Sequence, residues 1–173
     1  MIGVRLARHM TIVGLAGLLG FAACAPALAS NDQDRSFLQT ALRDNADFRT
    51  LSDLAAQKIR DAKVRVFAKQ LSQQTDTVDG ALKSDAHRDD VKPPNTLSAR
   101  ASDQYGRIQA QTGQDAADEY LRDIAIDARI SAYDYSTEAQ SGSDPALKRL
   151  AARRATELNR TADQADSLRG TLH

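Results

Sequence analysis

The chain has 173 residues, 42% of them hydrophobic and 27% charged, with 23 basic side chains against 23 acidic ones. That balance lacks the basic excess that nucleic-acid binding requires, and a single cysteine excludes an internal disulfide. Aromatic residues make up only 5% and there is no Trp, so a core must come from Ala, Leu, Ile and Val, which suits close-packed helices better than a β-sandwich.

The first segment reads as an export signal. "MIGVRLARHM" carries Arg5 and Arg8 without an acid, and "TIVGLAGLLGFAA" follows as an apolar run of h-region length. The run falls short of the roughly 20 apolar residues of a membrane span. "APALAS" offers cleavage after Ala29, so that residues 1–29 are a signal peptide and the mature chain starts at Ser30. "GFAAC" offers the alternative, a lipoprotein signal over 1–23 with a lipid on Cys24, although Phe21 fits its lipobox position less well than Leu. The soluble form is preferred. Loss of Arg5 and Arg8 leaves the mature chain, residues 30–173, with a net charge of about −2. Its roughly 145 residues are enough to stand on one core without disulfides.

From Asn31 onward helical spacing dominates and two-residue alternation is absent. A first helix is predicted from Asp32 or Asp34 to about Arg60, with Phe37, Ala41, Phe48, Leu51, Ala55 and Ile59 as its stripe, widened by Leu38, Leu42 and Leu54. Acids at its start suit the positive end of the helix dipole. A second covers about Ala62 to Lys83 on Val64, Phe67, Leu71, Val78 and Leu82, with Gln74 or Thr75 filling one step. "SDAHRDDVKPPNT" then reads as a solvated loop, because Pro93 and Pro94 cannot lie inside a helix. Leu97 to Gln111 is a shorter helix with Tyr105 and Ile108. A third long helix runs from about Gln114 to Gln140 on Ala117, Leu121, Ile124, Ala128 and Ala132 or Tyr135. The last opens with Asp144 as N-cap and Pro145 in the first turn, presents Leu147, Ala151, Ala155, Leu158, Ala162, Ala165 and Leu168, and is closed by Gly170. Four long helices, with a short one between the second and third, predict an all-α fold: a four-helix bundle whose long middle connection allows a ferritin-like crossover.

Chemistry is sparse on this scaffold. His9 lies in the signal, His87 in the polar loop and His173 at the C-terminus, so no histidine sits on a core face, and there is no ExxH, HExxH or Cys/His cluster. Asp47, Asp76, Asp79, Asp127 and Glu157 lie near mid-helix, and several have basic residues three or four positions away, as on exposed helix faces. A carboxylate-only metal or redox site built on Asp47, Asp76 or Asp127 is the rival reading. No GxSxG and no glycine-rich phosphate loop occurs. Tyr105, Tyr120, Tyr133 and Tyr135 are expected to cap the core with their hydroxyls at the surface. "ARRATELNR", with Arg153, Arg154 and Arg160 interleaved by Glu157, is expected to be a solvated face.

Two stretches carry a resemblance. "NADFRTLSDLAAQKIRDAKVRVFAKQLSQQTD" resembles the first half of the exported bacterial family called domain of unknown function 4142, and "DEYLRDIAIDARISAYDYSTEAQSGSDPALKRLAARRATEL" its second half. Together they cover about Gln33 to Leu168. The resemblance implies a ferritin-like helical bundle and an outer-membrane or periplasmic setting. It also implies four ligand positions, a Glu on the first helix and a His on each of the other long helices. These fall on Phe48, Thr75, Ala128 and Thr161, all non-ligands, although a shift of one residue would bring in Asp127 or Asp76. The Thr75 hydroxyl is expected to bond the carbonyl of Leu71 instead. The expectation is therefore a non-enzymatic envelope scaffold or binding protein without a cofactor. Its partner would be an envelope protein or a second copy of itself, and it would touch the membrane only through the signal or a lipid on Cys24.

Overall fold

The structure, a computed structural model, describes residues 32–172. Five α-helices make it up: α1 (Asp32–Lys58), α2 (Ala62–Arg88), α3 (Ala99–Ala110), α4 (Gly113–Ser141) and α5 (Pro145–Arg169). No strand occurs among the described residues, and none of their helices is long and apolar enough to cross a membrane. The proposed signal, with Cys24, Ala29 and Ser30, lies outside the described residues, as do His9 and His173.

Local chemistry sets the helix boundaries. Asp61 accepts hydrogen bonds from the backbone N–H groups of Lys63 (2.9 Å) and Val64 (3.0 Å), which starts α2 only three residues after α1 ends. Ser98 caps α3 by accepting from Ala101 N–H, and Asp144 caps α5 by accepting from Ala146 and Leu147, ahead of Pro145. Gly113 takes φ 61° where the chain turns into α4, a value that suits glycine. Gly170 follows α5 with φ −61°, so that helix ends without a left-handed turn.

One boundary corrects the expectation from sequence. The second helix does not stop at Lys83; it runs one and a half turns further, to Arg88. Ala86 continues the buried stripe after Leu82, and the charges that suggested a loop face outward along the same helix. His87 is thus helical and exposed. The stop is a Schellman turn: Val91 N–H donates to the Ala86 carbonyl and Asp90 N–H to that of His87, with Asp90 at φ 54° where glycine is usual.

Packing follows the predicted stripes. α1 lies along α2 and α4 along α5; the two pairs meet through α1 with α4 and, more lightly, α2 with α5. α3 rests on both α1 and α4. Leu38, Leu51, Leu71, Leu121, Ile124 and Leu158 are almost completely buried. Ala117 and Ala128 on α4 and Ala151 and Ala162 on α5 are as deeply buried as the leucines, and residues of this size let helices approach closely. Phe37 meets Tyr135 edge-on with ring centroids 4.9 Å apart.

Leu121 has no exposed surface. Replacing it with Ala is expected to lower the unfolding free energy by about 2–5 kcal/mol, measured by urea denaturation.

Candidate functional site

The four positions that the resemblance marks as ligand sites are all inside the protein: Ala128 and Thr75 are wholly buried, and Phe48 and Thr161 nearly so. None holds a metal-ligating side chain. The two threonines turn their hydroxyls onto their own helices. Thr161 Oγ1 donates to the Glu157 carbonyl at 3.0 Å. Thr75 Oγ1 donates to the Ser72 carbonyl at 2.6 Å rather than to that of Leu71, three residues back instead of four. The Thr75 carbonyl in turn accepts from Asn45 Nδ2 at 2.9 Å, a buried tie between α2 and α1. Gln74, the other residue considered for that step, is exposed.

The carboxylates separate into two groups. Asp76 pairs with Arg49 (2.9 Å), Asp79 with Lys83 (2.6 Å) and Glu157 with Arg154 (3.2 Å), the first two pairs at the surface. Asp47 and Asp127 instead line one cleft between α1, α3 and α4, of about 90 Å³, together with Asp44, which sequence reasoning did not single out. Asp47 Oδ1 accepts the backbone N–H of Ser98 at 3.1 Å and so holds the start of α3. Asp127 bridges two side chains of α3, accepting from Gln104 Nε2 at 2.7 Å and pairing with Arg100 at 2.5 Å. Asp44 accepts from the Ser131 hydroxyl at 2.6 Å. Phe48, Leu51 and Ile130 supply the apolar part of the lining. Asp76 is not part of this cleft, and among the described residues no three His, Cys, Asp or Glu side chains gather closely enough to hold a metal ion.

Burial dominates the electrostatics here. It pushes the Asp44 carboxyl up to about 6; the Ser131 hydroxyl opposes the shift, and the negative charges of Asp134, Asp47 and Asp127 add to it. Asp127 is also raised by burial, against the pull of Gln104 and Arg100. The missing members were findable from helical spacing. Asp44 and Phe48, Arg100 and Gln104, and Asp127 and Ser131 are each four residues apart, so each pair shares one face.

Two expectations about polar side chains are corrected. Tyr120 is completely buried and its hydroxyl meets Ser52 Oγ at 3.1 Å in the interior. Tyr135 is buried as well, Tyr105 is half-buried, and only Tyr133 is freely exposed. Arg154 does not belong to a solvated face: it is 2% exposed, its stem inside the core and its guanidinium directed to Glu157 and Tyr135. Arg153 and Arg160 are exposed as expected.

A second polar cluster closes one end of the molecule. Asp34, in the first turn of α1, accepts from the backbone N–H groups of Ser143 (2.8 Å) and Asp144 (3.0 Å) and from the Ser143 hydroxyl. Burial would raise its pKa, but these hydrogen bonds win and hold it below the usual carboxylate value. Glu138, buried at the end of α4, is pushed up to about 7 by its burial and by the Asp34 charge. A Cβ on Gly142 would collide with the Glu138 carboxyl, so a side chain cannot be added there without displacing it.

These features define an all-helical bundle protein with an acidic cleft under its short helix. Residues 20–168 match the family model described as "Domain of unknown function (DUF4142)", and the chain belongs to that family. Among solved structures, the "Crystal structure of DUF305 fragment from Deinococcus radiodurans" is similar in fold, with a TM-score of 0.74 and 13% sequence identity over 82% of this chain and 98% of that one. No curated protein matches the chain.

Glu138 gives a pH test. Its carboxyl gains a proton in the folded state that the unfolded chain, near 4.5, has already lost, so its contribution is complete at low pH and is lost as pH rises from 4.5 through about 7. Glu138→Gln should flatten the fall in stability over that window, by on the order of 2 kcal/mol, read from urea midpoints across the pH range.

Proposed function

We propose that this protein is an exported, non-catalytic helical-bundle protein of the bacterial cell envelope, with a ferritin-like four-helix arrangement, and that it acts by binding or scaffolding rather than by metal chemistry. The observation that carries the reading is the filling of the four interior positions. Phe48 and Ala128 have no donor atom to offer, and the hydroxyls of Thr75 and Thr161 are engaged by carbonyls of their own helices. The pairing of the long helices and the TM-score of 0.74 to another bundle support the fold part of the proposal. The apolar run after Arg5 and Arg8 supports export.

Elemental analysis of the protein purified from the envelope fraction tests the chemical half. Iron, manganese, copper and zinc are expected well below one per chain, and a stoichiometric metal would sink the reading. Mass spectrometry of the mature N-terminus tests the other half. A start at Ser30 is expected; an acylated Cys24 would replace the soluble form with a lipid-anchored one, and an unprocessed chain would rule out export.

A further inference from the structure

We propose that Glu138 and Asp34 share one proton and form a pH-sensitive switch: with the proton in place the first turn of α1 is held to the turn between α4 and α5, and its loss in mildly alkaline solution loosens that hold. The switch is independent of the binding role proposed above.

Glu138 has poor surroundings for a carboxylate. The residue is 1% exposed, it lies in the last turn of α4, and neither carboxyl oxygen meets a hydrogen-bond partner of good geometry. An ionised group so placed is costly, since burial removes its water and no donor replaces it. The end of α4 adds to the cost, because the helix dipole is negative there. The carboxyl also lies directly over Gly142, where a Cβ would collide with it, so the fold has made room for it to sit there.

Asp34 has the opposite surroundings. It accepts from the Ser143 N–H, the Asp144 N–H and the Ser143 hydroxyl, three donors that stabilise its ionised form. The two carboxyl groups are within hydrogen-bonding reach of each other. Two carboxylates cannot bond to one another, but a carboxylic acid can donate to a carboxylate. The difference in donors decides where the proton rests. It rests on Glu138, whose O–H then meets the Asp34 carboxylate. One proton gives Glu138 a partner and Asp34 a further donor.

When that proton passes to water, the bond becomes a repulsion between two adjoining carboxylates. An open groove of about 270 Å³ between α1 and α4 borders Glu138, and it lets the two charges part. The other charges nearby leave the pair in control. On α1, Asp32 and Arg35 of the same turn are exposed. On α4, Asp134 lines the same groove and is itself negative. Asp144, at the start of α5, is paired with Arg88 of α2 at 2.6 Å. Lys148 of α5 favours the ionised Glu138, as does the Gln33 amide, but burial and Asp34 outweigh them and place the loss of the proton near 7.

Carbon-13 NMR of the Glu138 carboxyl, with amide hydrogen exchange at about pH 6 and about pH 8.5, tests the switch. The carboxyl should titrate near 7. Protection of the Ser143 and Asp144 N–H groups, corrected for the intrinsic effect of pH, should fall about tenfold or more between the two conditions. Leu121 and Ile124, in the middle of α4, should keep theirs. In Glu138→Gln the amide donates to Asp34 at either pH, so the fall should vanish. A Glu138 carboxyl titrating near its ordinary 4.5, unchanged protection at Ser143 and Asp144, an equal loss at Leu121, or a fall that persists in Glu138→Gln would each overturn the proposal. The titration and the comparison of amides need only the wild-type protein, so a variant that fails to fold leaves the test intact.

Discussion

The short helix α3 is held by carboxylates, and the cleft exists because it is. α3 buries only Ala101, Gln104 and Ile108, little apolar surface for a helix of 12 residues. What fixes it is a row of acids on its neighbours. Asp47 takes the Ser98 N–H at its start, Asp127 takes Arg100 and Gln104 in its first turns, and Asp123 and Glu119 take Arg107 near its end. Lys58 adds a bond to the Gln109 carbonyl. Each surface-facing pair is worth little alone, but together they select one placement of the helix along the α1–α4 seam. A helix seated by apolar side chains would have sunk into that seam and filled it. Here Phe48 and Leu51 remain in the lining of the cleft beside the helix.

The interior of the four long helices obeys the opposite rule. There Thr75 and Thr161 are engaged on carbonyls of their own helices, while Ser52 on Tyr120 and Asn45 on the Thr75 carbonyl bond across helices. Buried polar groups treated in this way specify which helices pair without leaving an open coordination site. The division of labour within the family fold is therefore clear in this member. The central layer serves packing, and the acidic cleft lies at its side.

Much of this was legible in the sequence because it depends on period and on caps. Stripes at three and four residues place Phe37, Leu51, Leu71, Leu121 and Leu158 in the core. Asp144 with Pro145 marks the start of α5 to the residue. The end of α2 was not legible, because a dense run of charges looks the same on a solvated helical face as in a loop, and only Ala86 at the next stripe position distinguishes them. Arg154 and Tyr120 were misplaced for a related reason. Long amphipathic side chains are assigned outward by type, whereas here the space between α4 and its neighbours takes them inward. Asp44 escaped notice because, although it shares a helix face with Phe48, its depth comes from α4 packing across it.

The clamp of Asp34 on Ser143 and Asp144 joins residues 109 and 110 positions apart. α1 with α2 and α4 with α5 are, by contrast, hairpins of sequence neighbours whose contacts close short loops. Chain-closure entropy grows with separation, so the clamp closes a far longer loop than either hairpin does. The carboxylate therefore works as a catch, fastening the first turn of α1 to the turn that leads into α5.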